Sequence, residues 1–67
     1  MRLRHLRQDR RLTLSRLAAS AGLSVSYLND IEHDRTVPTL RKLRSIADVL
    51  GLSVRDLLEG VSPYDGN

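Results

Sequence analysis

Residues 13–35, TLSRLAASAGLSVSYLNDIEHDR, confine the chain more than any other stretch. Leu14, Leu17, Ala18 and Ala21 recur at i, i+3, i+4 and i+7, one face of a helix. Gly22 can take the left-handed conformation that ends it. Ser24 then caps a second helix, from Val25 to about His33, by accepting a backbone hydrogen bond. Leu28 and Ile31 form that helix's inward pair. At about 100° per residue, Ser26, Asn29, Asp30 and His33 point the other way. The stretch therefore predicts two short, tightly joined helices, the second polar on its outer face.

That is the layout of a helix-turn-helix, whose second helix enters the DNA major groove. The plainer alternative is an αα-corner, a joint common in all-α proteins. Charge helps to choose. Ten of the eleven basic residues are arginine and the net charge is +3. Arg2, Arg4, Arg7, Arg10, Arg11 and Arg16 crowd the first sixteen residues against only Asp9. Arg35, Arg41, Lys42 and Arg44 follow the second helix, while Asp48, Asp56, Glu59 and Asp65 come later. Arginine excess can reflect compositional bias, but two basic clusters flanking one helix suit a polyanion.

Sixty-seven residues make one domain with a modest core. Without cysteine, the fold must stand on helix packing, aided by dimerisation. No apolar run approaches a membrane span, and the N-terminus is too charged for a signal peptide. A soluble cytoplasmic protein is expected.

The remaining punctuation predicts three more helices. The first runs from about Arg2 to Arg10, with Leu3 and Leu6 inward. Thr13 caps the second, and Leu12 staples onto Leu17 across the cap. Asp34 tolerates the left-handed conformation, Pro38 forbids continuation, and Thr39 caps a fourth helix over Leu40–Leu50. Leu40, Leu43, Ile46, Ala47 and Leu50 are its inward set. Gly51 ends it. Leu52-Ser53 opens a fifth helix, Val54 to Glu59, closed by Gly60. No stretch alternates long enough for a strand. The expected fold is all-α, with a five-helix domain over residues 1–60 and a short tail over 61–67.

In order and spacing, the motifs resemble the phage repressor and Cro-like (XRE) family of helix-turn-helix proteins. They are Thr13 with Leu17-Ala18, Gly22-Leu23-Ser24, Tyr27-Leu28 with Ile31-Glu32, and Arg35 with Pro38-Thr39-Leu40. Ala47 with Leu50-Gly51, and Asp56-Leu57-Leu58, complete the set. The resemblance covers about residues 2–59. It implies a lambda-repressor-like five-helix fold whose third helix reads the major groove, usually as a symmetric homodimer on a palindromic operator in double-stranded DNA. Two positions depart from the family. Leu14 stands where a glutamine often contacts phosphate or buttresses a recognition residue. Asp34 stands where the family commonly has glycine.

On this reading Val25, Ser26, Asn29 and Asp30 contact bases. Val25 can touch a thymine methyl, Ser26 either kind of base, Asn29 adenine N6/N7, and Asp30 cytosine N4. Asn29 and Asp30 can equally be a solvated face, or Asp30 the partner of a nearby arginine. Phosphate contacts are expected from Arg10, Arg11, Thr13, Arg35, Thr36, Thr39 and Arg41. Tyr27 either reaches a phosphate through its hydroxyl or flanks helix 2. Glu32 falls at the inward edge and needs a partner. Arg7 is the best placed, and the resemblance implies a structural ion pair of this kind. Leu52, Val54, Leu58, Val61 and Tyr64 crowd the C-terminal end and are expected to form a two-fold interface.

His5 and His33 lack the spacing and the cysteines of a metal site. The serines read as caps or surface. No enzyme chemistry and no cofactor is expected. The function expected is a sequence-specific DNA-binding transcriptional regulator of bacterial or phage type, acting as a repressor. Two alternatives use the same fold: an antitoxin that binds a toxin partner, and the DNA-binding part of a longer regulator with an effector domain.

Overall fold

A computed structural model of the protein describes residues 1–60. Five helices follow one another: α1 (Leu3–Asp9), α2 (Leu14–Ala21), α3 (Val25–Glu32), α4 (Leu40–Leu50) and α5 (Val54–Glu59). There is no strand among the described residues. No described helix is long and apolar enough to cross a membrane.

Four of the helix starts use the hydroxyls that the sequence marks for them. The side-chain oxygens of Thr13, Ser24, Thr39 and Ser53 accept from the amides of Arg16, Tyr27, Lys42 and Asp56 at 3.0–3.2 Å. Each cap satisfies a donor that the helix itself leaves orphaned, a contribution of about 1 kcal/mol. Gly22 and Gly51 end α2 and α4 in the left-handed region, at φ 72° and 70°. The amides of Leu23 and Leu52 reach back to the carbonyls of Ala18 and Ala47, which closes each helix. Asp34 does the same for α3 at φ 56° without being glycine. So does Arg11 for α1, also at φ 56°, and nothing in its chemistry announces that conformation.

The buried leucines and isoleucines come from every helix. Leu3 and Leu6 meet Leu17 and Ala18, Leu28 and Ile31, and Leu43, Ile46, Ala47 and Leu50, with Leu57 closing the cluster. Helix α2 packs against both α3 and α4, and α4 against α5. The α2–α3 joint is thus held by shared core as well as by Gly22.

Two apolar residues are placed otherwise than the sequence suggests. Leu40, expected inward, is 61% exposed. It is the first residue of α4, and the core beneath that helix is filled by Leu43, Ile46, Ala47 and Leu50. Leu52, expected at a two-fold interface, is buried in the protomer's own core. Val54 is half-buried and Leu58 is exposed, so both remain accessible at that end. Val61 and Tyr64 lie outside the described residues.

Candidate nucleic-acid interface

Helix α3 is anchored on one side and open on the other. On the inner side Leu28 and Ile31 enter the core. At its inner edge the Arg7 guanidinium clasps Glu32 with two bonds. Nε donates to Oε2 at 2.7 Å and Nη2 to Oε1 at 3.2 Å. The third arm, Nη1, donates to the Leu12 carbonyl at 2.7 Å. The Glu32 side chain is only 3% exposed and that of Arg7 11%. One planar cation therefore ties α1, the α1–α2 corner and the end of α3 together. Bidentate geometry fixes orientation as well as distance, so α3 cannot roll on the core without breaking it.

On the outer side Val25 and Ser26 are exposed, and Asn29 and Asp30 are half-buried. The structure brings these four base-reading candidates to a single helix. Asp30 has company: Arg35 Nη1 donates to its Oδ1 at 3.4 Å, with both side chains substantially exposed. The Arg35 amide also donates to the Asp30 carbonyl at 2.9 Å, so the turn through Asp34 itself delivers Arg35 to the carboxylate. Of the alternatives open for Asp30, the arginine partner is thus present. Beyond it, His33 Nδ1 lies 2.8 Å from the Asn29 carbonyl. A carbonyl only accepts, so Nδ1 carries the hydrogen of that bond.

The candidates for phosphate contact divide. Arg11, Thr13, Arg35, Thr39 and Arg41 are exposed, and Thr36 is half-buried. The Thr13 and Thr39 hydroxyl oxygens accept as caps, which leaves each hydroxyl hydrogen free to donate to an anion. Arg10 has another task. Its Nε donates to the Leu50 carbonyl at 2.7 Å and its Nη1 to the Leu6 carbonyl at 3.0 Å. It therefore closes the C-terminal end of α4, where a cation meets the negative pole of the helix. Thr39 caps the opposite end of this eleven-residue helix, about 16 Å away at 1.5 Å per residue, with Arg41 in the first turn beside it. The expected phosphate role of Arg10 gives way to this internal one.

Tyr27 packs its ring on the core cluster. The Lys42 ammonium stands over that ring, 4.5 Å from its centroid. Lys42 is the residue that sequence reasoning passed over. Its place in the basic group after α3 was visible, but its contact depends on how α4 lies beside α3.

The helix-turn-helix domain family matches residues 1–59, nearly the whole described chain. The chain belongs to this family. Family members of known identity resemble it closely. The HTH-type transcriptional regulator DdrOP3 of Deinococcus deserti is 52% identical over 63 residues, 94% of this chain and 49% of its own length. The immunity repressor protein of Bacillus phage phi105 is 47% identical over 53 residues, 79% of this chain and 37% of its own. The chain thus spans half or less of these two relatives. Among solved structures, the biofilm regulator SinR in complex with DNA superposes with a TM-score of 0.80 at 38% identity. That match covers 85% of this chain and 92% of the SinR chain. The family is one of binding proteins, not enzymes, and its fold is the five-helix arrangement described above.

Proposed function

We propose that the protein is a sequence-specific DNA-binding transcriptional regulator that represses by occupying its operator. The observation that carries this reading is α3 itself. It is a short helix locked from behind by the Arg7–Glu32–Leu12 knot, with Val25, Ser26, Asn29 and Asp30 on its open side. A helix that must present side chains to base edges needs a fixed roll angle, and the buried guanidinium supplies one. In this reading Asn29 pairs with adenine, Ser26 and Val25 read neighbouring bases, and Arg11, Thr13, Arg35, Thr36, Thr39 and Arg41 meet phosphates. The structure of SinR with DNA and the name of the phage phi105 repressor support the choice of ligand and the sign of regulation. The work is done in the cytoplasm of a bacterium, or of one carrying a phage.

The protein binds as a homodimer on a palindromic operator, with half-sites about one helical turn apart. Val54 and Leu58, which are accessible at the α5 end, contribute to the two-fold contact together with Val61 and Tyr64. Leu52, sealed in the core, does not. Selection of bound duplexes from a random pool, read by sequencing, tests both parts. The expected product is a two-fold symmetric consensus. Enrichment of no sequence would refute base reading, and a single asymmetric site bound by one protomer would refute the dimer.

A further inference from the structure

We propose that Lys42 is a phosphate-binding residue of the DNA interface and that the ring of Tyr27, not its hydroxyl, positions it. The proposal rests on the DNA-binding reading above. The observation is the ammonium of Lys42 standing 4.5 Å from the Tyr27 ring centroid. Tyr27 lies in the first turn of α3, next to Ser26, and Lys42 in the first turn of α4. The contact therefore holds a positive charge at the margin of the turn from which recognition helices touch bases.

How the charge is held matters as much as where. Arg7, Arg35 and Arg55 each pair with a carboxylate. Among the described residues, Lys42 has no such partner. A ring face attracts an ammonium through its quadrupole and leaves the formal charge intact. It also leaves the ammonium's N–H donors for an anion on the open side. A carboxylate in the same place would neutralise the cation and repel the phosphate. Lys42 is half-buried, and its apolar stem limits where the ammonium can go. The same geometry explains Tyr27. Its ring is packed on the core and under the cation, so its effect on binding runs through Lys42.

The test uses the full chain, the selected duplex and a random-sequence duplex, each titrated at several salt concentrations. Lys42→Gln is expected to lower the salt slope by about one unit and to weaken both duplexes by the same factor. Lys42→Arg, which keeps a cation over the ring, restores both. Tyr27→Phe binds like the parent. Tyr27→Leu weakens binding roughly two- to fivefold, and that loss vanishes when it is made in the Lys42→Gln background. Thermal melts verify that each variant is folded, and Tyr27→Phe with Lys42→Gln suffices if Tyr27→Leu is not. An unchanged slope for Lys42→Gln would overturn the phosphate role. A Tyr27→Phe loss would return the contact to the hydroxyl and overturn the positioning role. Absence of salt-dependent duplex binding by the parent protein would instead strike the DNA-binding reading itself.

Discussion

Two acidic residues of α3, Asp30 and Glu32, meet arginines on opposite terms. Glu32 is sealed from water and gripped by Arg7 through two bonds, the shorter at 2.7 Å. Asp30 meets Arg35 once, at 3.4 Å, with 45% of its side chain exposed and 61% of its partner's. Along the sequence the two acids are nearly neighbours, and a charge count would score their pairs equally. Burial separates them. The inner pair replaces solvent for both ions and so must stay closed, whereas the outer pair competes with water and with any anion that arrives. One helix thus carries a fixed bolt on its inner edge and a loose clasp on its outer face. A recognition helix needs both, rigid where it is seated and exchangeable where it binds.

The largest effect should come from drawing the bolt. Glu32→Ala leaves the Arg7 guanidinium buried without its counter-ion and should cost about 3–5 kcal/mol of stability. Asp30→Ala should cost under about 1 kcal/mol. Denaturant unfolding of both, with Arg7→Ala and the double variant to complete the cycle, measures the contrast. Equal costs for Glu32→Ala and Asp30→Ala would dissolve the distinction.

Asn29 tests the outer face without touching either pair. Asn29→Ala should lose roughly 1–3 kcal/mol on the operator and relax preference at one base pair per half-site. The salt slope should hold, because no charge is removed. Equal losses on operator and random duplex would show that the recognition face has been misplaced.

Much of this was readable from the chain because local chemistry enforces it. Thr13, Ser24, Thr39 and Ser53 are caps in the structure as in the sequence, and α2, α4 and α5 begin and end where hydroxyl and glycine place them. The other two helices stop one residue short of expectation, α1 at Asp9 and α3 at Glu32. Both are closed by a non-glycine residue in the left-handed region. Asp34 advertises that tolerance and Arg11 does not. The Arg7–Glu32 pair was legible because a carboxylate on the inward edge of an amphipathic helix demands a cation. Arg10 was not. Its acceptor is a carbonyl forty residues away, and only the tertiary fold brings the two together. Leu52 was misassigned for a related reason. An apolar residue just before a cap can seal its own core or a partner's, and sequence does not distinguish them.

Arg35 should behave as a sequence-blind contact. If Arg35 meets a phosphate as proposed, Arg35→Ala removes that contact, so operator and random duplex should weaken together and the salt slope should fall by about one unit. It also strips the Asp30 carboxylate of its cation beside the phosphates. The loss should therefore exceed that of Arg41→Ala, where no acid is exposed by the change. Parallel salt titrations of the two variants make the comparison, and equal losses would mean that Asp30 and Arg35 do not act together on DNA.

Asp30→Asn probes the clasp from its other side, with the smallest expected effect. The exposed pair contributes at most about 1 kcal/mol, so the fold should scarcely notice. On DNA the sign should reverse. Binding to phosphate draws Arg35 away from Asp30, and the abandoned carboxylate then sits among like charges at a cost set by Coulomb repulsion. Asparagine keeps the shape and removes that cost. Affinity should rise by up to about fivefold on operator and random duplex alike, the counterpart of losing a weak competing pair. The outcome also decides between the two roles open to Asp30. If the carboxylate reads a cytosine amino group, the neutral amide oxygen that replaces it is a weaker acceptor, without the charge that strengthens the bond. Operator affinity would then fall at one base pair per half-site while random affinity rose. A parallel rise makes Asp30 the keeper of Arg35, and a split makes it a second base reader beside Asn29.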